Sequence, residues 1–516
     1  MEEKSILFVL VFCFLFCILD AQTPEWVWAN HGGSSSSDMG VSIIVDSNNY
    51  SYVTGEFRDV ATFGSTVLTS AGEDDIYIAK MDTNGNWIWA KRAGGSNQDF
   101  GSSIILDNLG NVYVTGDHDN NADFGSTILG GNGIYVTKLD NNGNWLWTEH
   151  ADASQSTGID VDALGNAYIT GIISWNGDFG DYHLDSNGQD DIFVAKISSN
   201  GTWLRAENAG GTESDYAFDI DVDTGGNAYI TGYFKDSASF GVYNLISYGH
   251  RDIFVCKINS TGVWSMATNA GGVSWDSGQD IYLDNTGNIY CTGFFYSEAT
   301  FGTSNITGYG SNDIFVSKLD NSGNWLWTNY AGGLYVDTGW GIKVDSNMNT
   351  WITGDYMYGA TFGTTNLSSY GVVDLFVAQL DGSGNWNWAI NAGSNWYEYS
   401  YDLDLDNSDN GYITGKFQNT ITFQDTMSSY GSYDVFVAKI TDSMQPSPPA
   451  NVVMNVSGAT LTISWNAVPA ATSYKVFSSN DPYTGFAEDT TGTFNGTSWS
   501  VTLSGSKKYF YVKAIN

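Results

Sequence analysis

An acidic side chain recurs at Asp38, Asp99, Asp215, Asp276, Asp337 and Glu398, each a few residues after a glycine-containing turn. Six carboxylates brought to one place would offer the hard oxygen ligands that Ca²⁺ takes. The competing use is local, each carboxylate accepting backbone N–H groups of its own turn. Where a seventh is due, Ser156 and Thr157 stand instead. A second set is aromatic: Trp175, Trp275, Tyr335, Trp340, Trp396 and Tyr397 break the regular spacing that most of the other tryptophans keep. Flat apolar faces in connecting segments suit a sugar ring or a partner's side chains, and equally suit packing. No residue set earns a catalytic role. The five histidines, His31, His118, His150, His183 and His250, are scattered, and no Ser-His-Asp or His-carboxylate set follows from spacing.

The elements that must position these residues are repeats. Thr-Gly recurs at Thr54, Thr115, Thr170, Thr231, Thr292, Thr353 and Thr414, at spacings of 61, 55, 61, 61, 61 and 61 residues. A second marker, DIFVAK or a close variant, begins its apolar stretch at Ile76, Ile134, Ile192, Ile253, Ile314, Leu375 and Val435. Each unit reads as four strands separated by Asp, Asn and Gly turns. The third strand is apolar almost throughout, as a strand covered on both faces must be. Trp87, Trp145, Trp203, Trp264, Trp325 and Trp386 keep one position per unit and are expected to pack between neighbouring sheets. The last unit lacks a fourth strand, whereas PEWVWANHGG near the start has the matching Trp26 and Trp28. This N-terminal strand is expected to close a ring and leave no open sheet end.

These motifs resemble the bacterial β-propeller repeat family abbreviated SBBP, over residues 25 to about 442. The resemblance implies an exported protein with the propeller fold and says little about ligand; with the seven repeats counted above, the expectation is an all-β chain with a seven-bladed β-propeller over 22–443. The turn aspartates Asp82, Asp140, Asp320 and Asp381 stand three residues before Gly, not two as in sialidase-type boxes. Four scattered arginines do not form a sialidase triad. Quinoprotein propellers share a similar docking turn, but their cofactor ligands are not found here. After a Pro-rich linker, 444–448, residues 449–516 resemble a fibronectin type III domain through LTISWNAV, SYKVFSS and YFYVKAIN. Lys508 stands where that fold usually places its corner tyrosine, and the sequence stops where a last strand should begin, so the module is expected to be abbreviated, lacking its last strand, or to borrow one from a partner.

Met1-Glu2-Glu3-Lys4, the apolar run Ile6 to Leu19 and Ala21 read as a signal peptide, 1–21, cut after Ala21. Net charge is −38, which excludes nucleic acid and anionic lipid as partners. Cys256 and Cys291 replace small or aliphatic residues of the repeat and are expected to be buried free thiols. The expected function is a secreted or outer-surface, non-catalytic binding or adhesion scaffold for a glycan or an extracellular protein. It is expected to be monomeric, with no membrane insertion after signal cleavage and no required cofactor, Ca²⁺ being the candidate ion. The alternatives are a polysaccharide hydrolase or lyase working at the channel mouth, and a structural surface-layer component.

Overall fold

The structure is a computed structural model that describes residues 24–442, 452–457, 460–467, 473–479, 487–502 and 509–515. The expected signal peptide, the linker and Lys508 lie outside the described residues. Chain contacts separate residues 24–441 from the C-terminal segment.

Between 24 and 441 the chain is all β, with no helix. In the first unit the inner strand Met39–Val45 pairs with Ser51–Phe63, that strand with Thr66–Met81, and that with the outer strand Trp87–Ala93. All pairs are antiparallel, as short Asp/Asn/Gly connections require. The same order starts from inner strands Phe100–Leu106, Gln155–Val161 and Tyr216–Val222. It recurs from Ser277–Leu283, Asp337–Val344 and Glu398–Leu405. The last unit takes its outer strand from the other end of the chain. Glu25–Gly32 pairs with Thr426–Thr441, with Trp26 opposite Ile440 and Ala29 opposite Ala438.

Each inner strand packs on the next, and Glu398–Leu405 packs back on Met39–Val45. The inner strands therefore enclose a channel. Apolar clusters fill the spaces between consecutive units; one joins Phe63 and Ala79 of the first unit to Tyr412 and Val437 of the last. The repeated tryptophans border these clusters, each edge-on to a phenylalanine of its own unit, as Trp87 is to Phe63 at 5.1 Å and 81°. Trp386 stands likewise on Phe362 at 5.1 Å and 90°. Cys256 and Cys291 are free and buried, and burial pushes the Cys291 thiol up to about 12.

The C-terminal segment forms two antiparallel sheets. One orders Val453–Ser457, Thr460–Ser464, Ser498–Thr502 and Thr493–Phe494; the other orders Ala487–Glu488, Ser473–Ser479 and Tyr509–Ile515. Leu461, Ile463, Trp465, Val476 and Trp499 make its core.

Candidate functional site

The repeated loop carboxylates are each engaged in their own unit. Asp38 accepts from the Ser34 N–H at 2.6 Å and the Arg58 N–H at 2.9 Å. Asp99 accepts from Gly95 and Asp119, Asp215 from Gly211 and Lys235, Asp276 from Gly272 and Tyr296, and Asp337 from Gly333 and Met357. Glu398 takes the Ser394 N–H and hydroxyl. Each of the five aspartates thereby ties the turn before an inner strand to the strand beside it or to the residue that follows that strand. The structure does not bring the six to a common point: among the described residues no group of three or more His, Cys, Asp or Glu is arranged to hold a metal ion.

A second carboxylate faces each of them. Asp75, Asp191, Asp252, Asp313, Asp374 and Asp434 are fully buried. Their Oδ2 atoms accept from a preceding hairpin, as Asp252 does from the Tyr248 N–H at 2.7 Å. Their Oδ1 atoms are shut from solvent and have no donor. At Gly94, with φ +133°, a Cβ would stand 2.8 Å from Asp75 Oδ1 and 3.0 Å from Asp99 Oδ2, so only glycine fits between them. Burial, with the neighbouring carboxylate adding to it, raises these acids: Asp99 to about 6, Asp215 and Asp434 to about 7, Asp337 to about 8. In the one junction that breaks the series both partners are missing. Gly133 replaces the strand aspartate, and Ser154, rather than the expected Ser156 or Thr157, holds the loop-acid position, its Oγ taking the Ser174 N–H at 2.8 Å. The His150 ring stands where a Gly133 side chain would be. His118 Nε2 lies 2.8 Å from His150 Nδ1, and His150 Nε2 lies 2.7 Å from Asp152 Oδ1.

Deeper in the channel, Asp160, Asp219, Asp221, Asp280, Asp402 and Asp404 each reach the neighbouring inner strand. They accept from the N–H of Val222, Ile281, Leu283, Ile342, Ile43 and Val45. An inner strand has an unpaired edge, and these carboxylates satisfy its donors. Lys343 stands among them. Burial pulls its pKa down, but Asp280, Asp404, Asp402 and Asp219 outweigh that and hold it well above the usual lysine range. Burial raises Asp402 to about 7, with Lys343 opposing.

The mouth is aromatic and asymmetric. Trp340 donates from Nε1 to Asp355 Oδ1 at 2.5 Å and stands edge-on to Tyr401 at 5.9 Å. Tyr399 stacks on Tyr401 at 6.1 Å and 7°. Lys416 Nζ lies 5.2, 5.5 and 5.1 Å from the rings of Tyr399, Tyr401 and Tyr433. Burial lowers the Lys416 pKa, while Glu56 and Asp355 pull it upward. Burial pushes both Glu56 and Asp355 up to about 7. On the fourth and fifth units, Tyr216 stacks on Tyr233 at 4.9 Å, and Arg251 lies 4.3 Å from Tyr233 and 5.0 Å from Trp275.

Of the aromatic candidates, Trp275 and Trp340 join these clusters. Tyr335 instead packs on Tyr358 at 4.9 Å, Trp396 is exposed, and the Tyr397 backbone bridges Val373. Trp175 is 82% exposed because it occupies a left-handed bulge, φ 84°, that other units fill with Asp59, Asp236, Ser297, Tyr358 and Asn419. The channel aspartates had a signal in IDVD, DIYLD and DLDLD, and Arg251 had one in replacing Asp74 and Asp190 of sister units. The His118–His150 contact had none, since 32 residues and a tertiary turn separate the two rings.

Residues 88–121 match the family described as SBBP, Beta-propeller repeat. The chain is similar to an uncharacterized WD repeat-containing protein of Acanthamoeba polyphaga mimivirus, 24% identical over 81% of this chain and 38% of that protein. It is also similar to the regulatory protein FlaEY of Caulobacter vibrioides, 25% identical over 62% of this chain and 36% of that one. The chain thus spans little more than a third of the length of these curated relatives. Similar solved structures include an ulvan lyase, 14% identical over 78% of this chain and 97% of that one, TM-score 0.43. Another is the C-terminal WD40 domain of Sif2, 8% identical over 81% of this chain and 99% of that one, TM-score 0.38. The repeat match, the WD-repeat relative and the strand order agree on a β-propeller fold.

Proposed function

We propose that this chain is an exported, non-catalytic binding protein. In this reading a propeller of seven blades, closed by its N-terminal strand, offers its channel mouth to a glycan. The C-terminal segment is then a fibronectin type III-like spacer or dock. One observation carries the reading: side chains that depart from the repeat gather at the mouth. Trp340 and Tyr401 stand where sister units have Val41, Ser102, Thr157, Phe218 and Gln279, while the Tyr399 position is mixed, holding Met39, Phe100, Gln155, Tyr216, Ser277 and Thr338 elsewhere. Packing between units does not need them there, because the repeated tryptophans already border every junction. Aromatic faces beside a half-buried cation and two carboxyls suit a ring with apolar faces and polar edges.

A glycan array on the purified chain, run with Ca²⁺ and with chelator, is the test. A bound glycan should lose affinity at least about tenfold in Trp340→Ala/Tyr401→Ala, the loss expected when a stacking platform is removed. Silence in both buffers would sink the glycan reading and leave a protein ligand. Binding only with Ca²⁺ would return the loop carboxylates to consideration as ligands.

A second reading has its own observation. Lys416, with a lowered pKa beside three tyrosines and two carboxyls near neutrality, is a combination that general acid–base chemistry uses. Product release from acidic or neutral polysaccharides, abolished in Lys416→Met, would make the mouth an enzyme site.

A further inference from the structure

Arg251 precedes the strand Asp252–Ile258, at a position where sister units carry Asp74, Asp190, Asn312, Val373 and Tyr433. A base has replaced an acid or a neutral group in a chain of net charge −38. Two other arginines are matched to carboxylates. Arg58 takes Asp74 through two nitrogens, at 2.8 and 2.7 Å, and Arg92 takes Asp75 at 2.7 Å. Among the described residues no carboxylate pairs with Arg251 in this way. Its guanidinium lies 4.3 Å from Tyr233, 5.0 Å from Trp275 and 5.8 Å from Phe294. Its Nε is closed off from solvent and has no acceptor. Asp276 feels its charge, but the two Asp276 oxygens are already held by the Gly272 and Tyr296 N–H groups.

The backbone fixes this geometry. Arg251 and Trp275 form a parallel bridge, and the Asp276 N–H donates to the Arg251 carbonyl at 3.0 Å. Trp275 thus stands beside the guanidinium while remaining 51% exposed. An arginine stacked among rings keeps its planar fork in one orientation and loses little freedom on binding. A planar or tetrahedral oxyanion is the group that such a fork receives. Trp275 alongside offers a face for the apolar side of a sugar ring. A ligand that is acidic at every residue would be repelled by the rest of so acidic a protein; one bearing occasional anionic groups on an otherwise neutral chain would not.

We propose that Arg251 and Trp275 form an anion subsite at the channel mouth that takes the carboxylate or sulfate group of an acidic glycan. The subsite rests on the glycan reading of the mouth and specifies which glycans it selects. Calorimetric titration tests it with a largely methyl-esterified galacturonate oligosaccharide that keeps isolated free carboxylates, its fully esterified form, a sparsely sulfated galactan oligosaccharide, the neutral galactan and a glutamate-rich peptide. One or both anionic sugars should bind at least about tenfold more tightly than their neutral counterparts, as a charge-assisted pair predicts. Galacturonate and sulfated galactan separate a carboxylate ligand from a sulfate. Arg251→Gln should erase that preference, Arg251→Lys should keep part of it, and Trp275→Ala should weaken both forms, with thermal unfolding confirming that each variant folds. Equal affinity for acid and ester overturns the subsite, as does a preference untouched by Arg251→Gln. If Trp340→Ala/Tyr401→Ala then still abolishes binding, the mouth reading survives alone. Tighter binding of the peptide than of any sugar overturns it in favour of a protein ligand. No binding of any probe overturns the subsite together with the glycan reading.

Discussion

Lys343 meets carboxylates from three other inner strands, and its charge offsets the crowding of Asp219, Asp280, Asp402 and Asp404, of which Asp219 and Asp280 also share a hydrogen bond. Each of those carboxylates also holds a backbone N–H of the adjacent strand, so losing the lysine would weaken the seam as well as the ion pairs. Lys343→Met is expected to destabilise the protein by about 3–5 kcal/mol near pH 7.5, the range for removing one partner of a buried charge set. The loss should shrink near pH 5, because Asp402, raised to about 7, is then mostly protonated and needs no counter-charge. Urea unfolding at the two pH values checks this; an equal loss at both would mean that the lysine acts by packing alone. At this scale the sequence was partly legible. Alternating aspartates in IDVD and DLDLD announced a shared strand face, and GHRDIF announced a base where an acid was due. That Lys343 faces carboxylates from residues 219 to 404 was not legible, because only ring closure brings them together.

The strand Glu25–Gly32 is the element that completes the ring. It covers the edge of Thr426–Thr441, and Trp26 packs edge-on to Phe423 at 4.8 Å. Without it the last unit would expose an apolar strand edge and the half-buried faces of Trp26 and Trp28 would be lost. Deleting residues 24–33 should cost on the order of 5 kcal/mol, from two large aromatics and the apolar strand around them. It should also produce concentration-dependent aggregation through the bare edge. Thermal unfolding with light scattering measures both effects, and a synthetic peptide of residues 24–33 should restore part of the lost stability. Unchanged melting would mean that the closing pairing contributes nothing. The PEWVWANHGG motif made this element legible, since it matches a strand that the last unit lacks. The repeated bulge that throws Trp175 outward was not, because a left-handed residue there is Asp, Asn, Ser, Tyr or Trp, with no glycine to mark it.

Two sets of aspartates pull the whole molecule's pH dependence in opposite directions. Turn aspartates such as Asp82, Asp107, Asp284 and Asp320 have pKa values lowered by side-chain and backbone N–H donors, partly offset by burial. Their contribution is present above pH 4 and is lost as the pH falls. The junction and channel carboxyls have raised values: Asp38 about 6, Asp252 about 7 and Asp337 about 8. These bind more protons folded than unfolded, so stability falls as the pH climbs from 4 through those values. The melting temperature should therefore peak near pH 5 and decline toward pH 8, with a second decline below pH 4. Calorimetric scans across that range check it. A melting temperature that kept rising to pH 8 would mean that something other than protons compensates the facing carboxylates.

The sequence by itself determined the elements: four strands per unit, their turns, the apolar faces and the strand that closes the ring. Each of these follows from short-range chemistry, where alternation sets a face and Asp-Asn-Gly sets a turn. It also marked the loop acids and the aromatics that break register, without deciding their use. Only the tertiary structure decided that the loop acids are spent on backbone N–H groups, that Lys343 lies inside a carboxylate set, and that Arg251 stands caged beside an open Trp275. Those outcomes depend on which side chains from different units meet around a closed ring. Ring curvature and the register of each inner strand fix that, and no local run of residues encodes it.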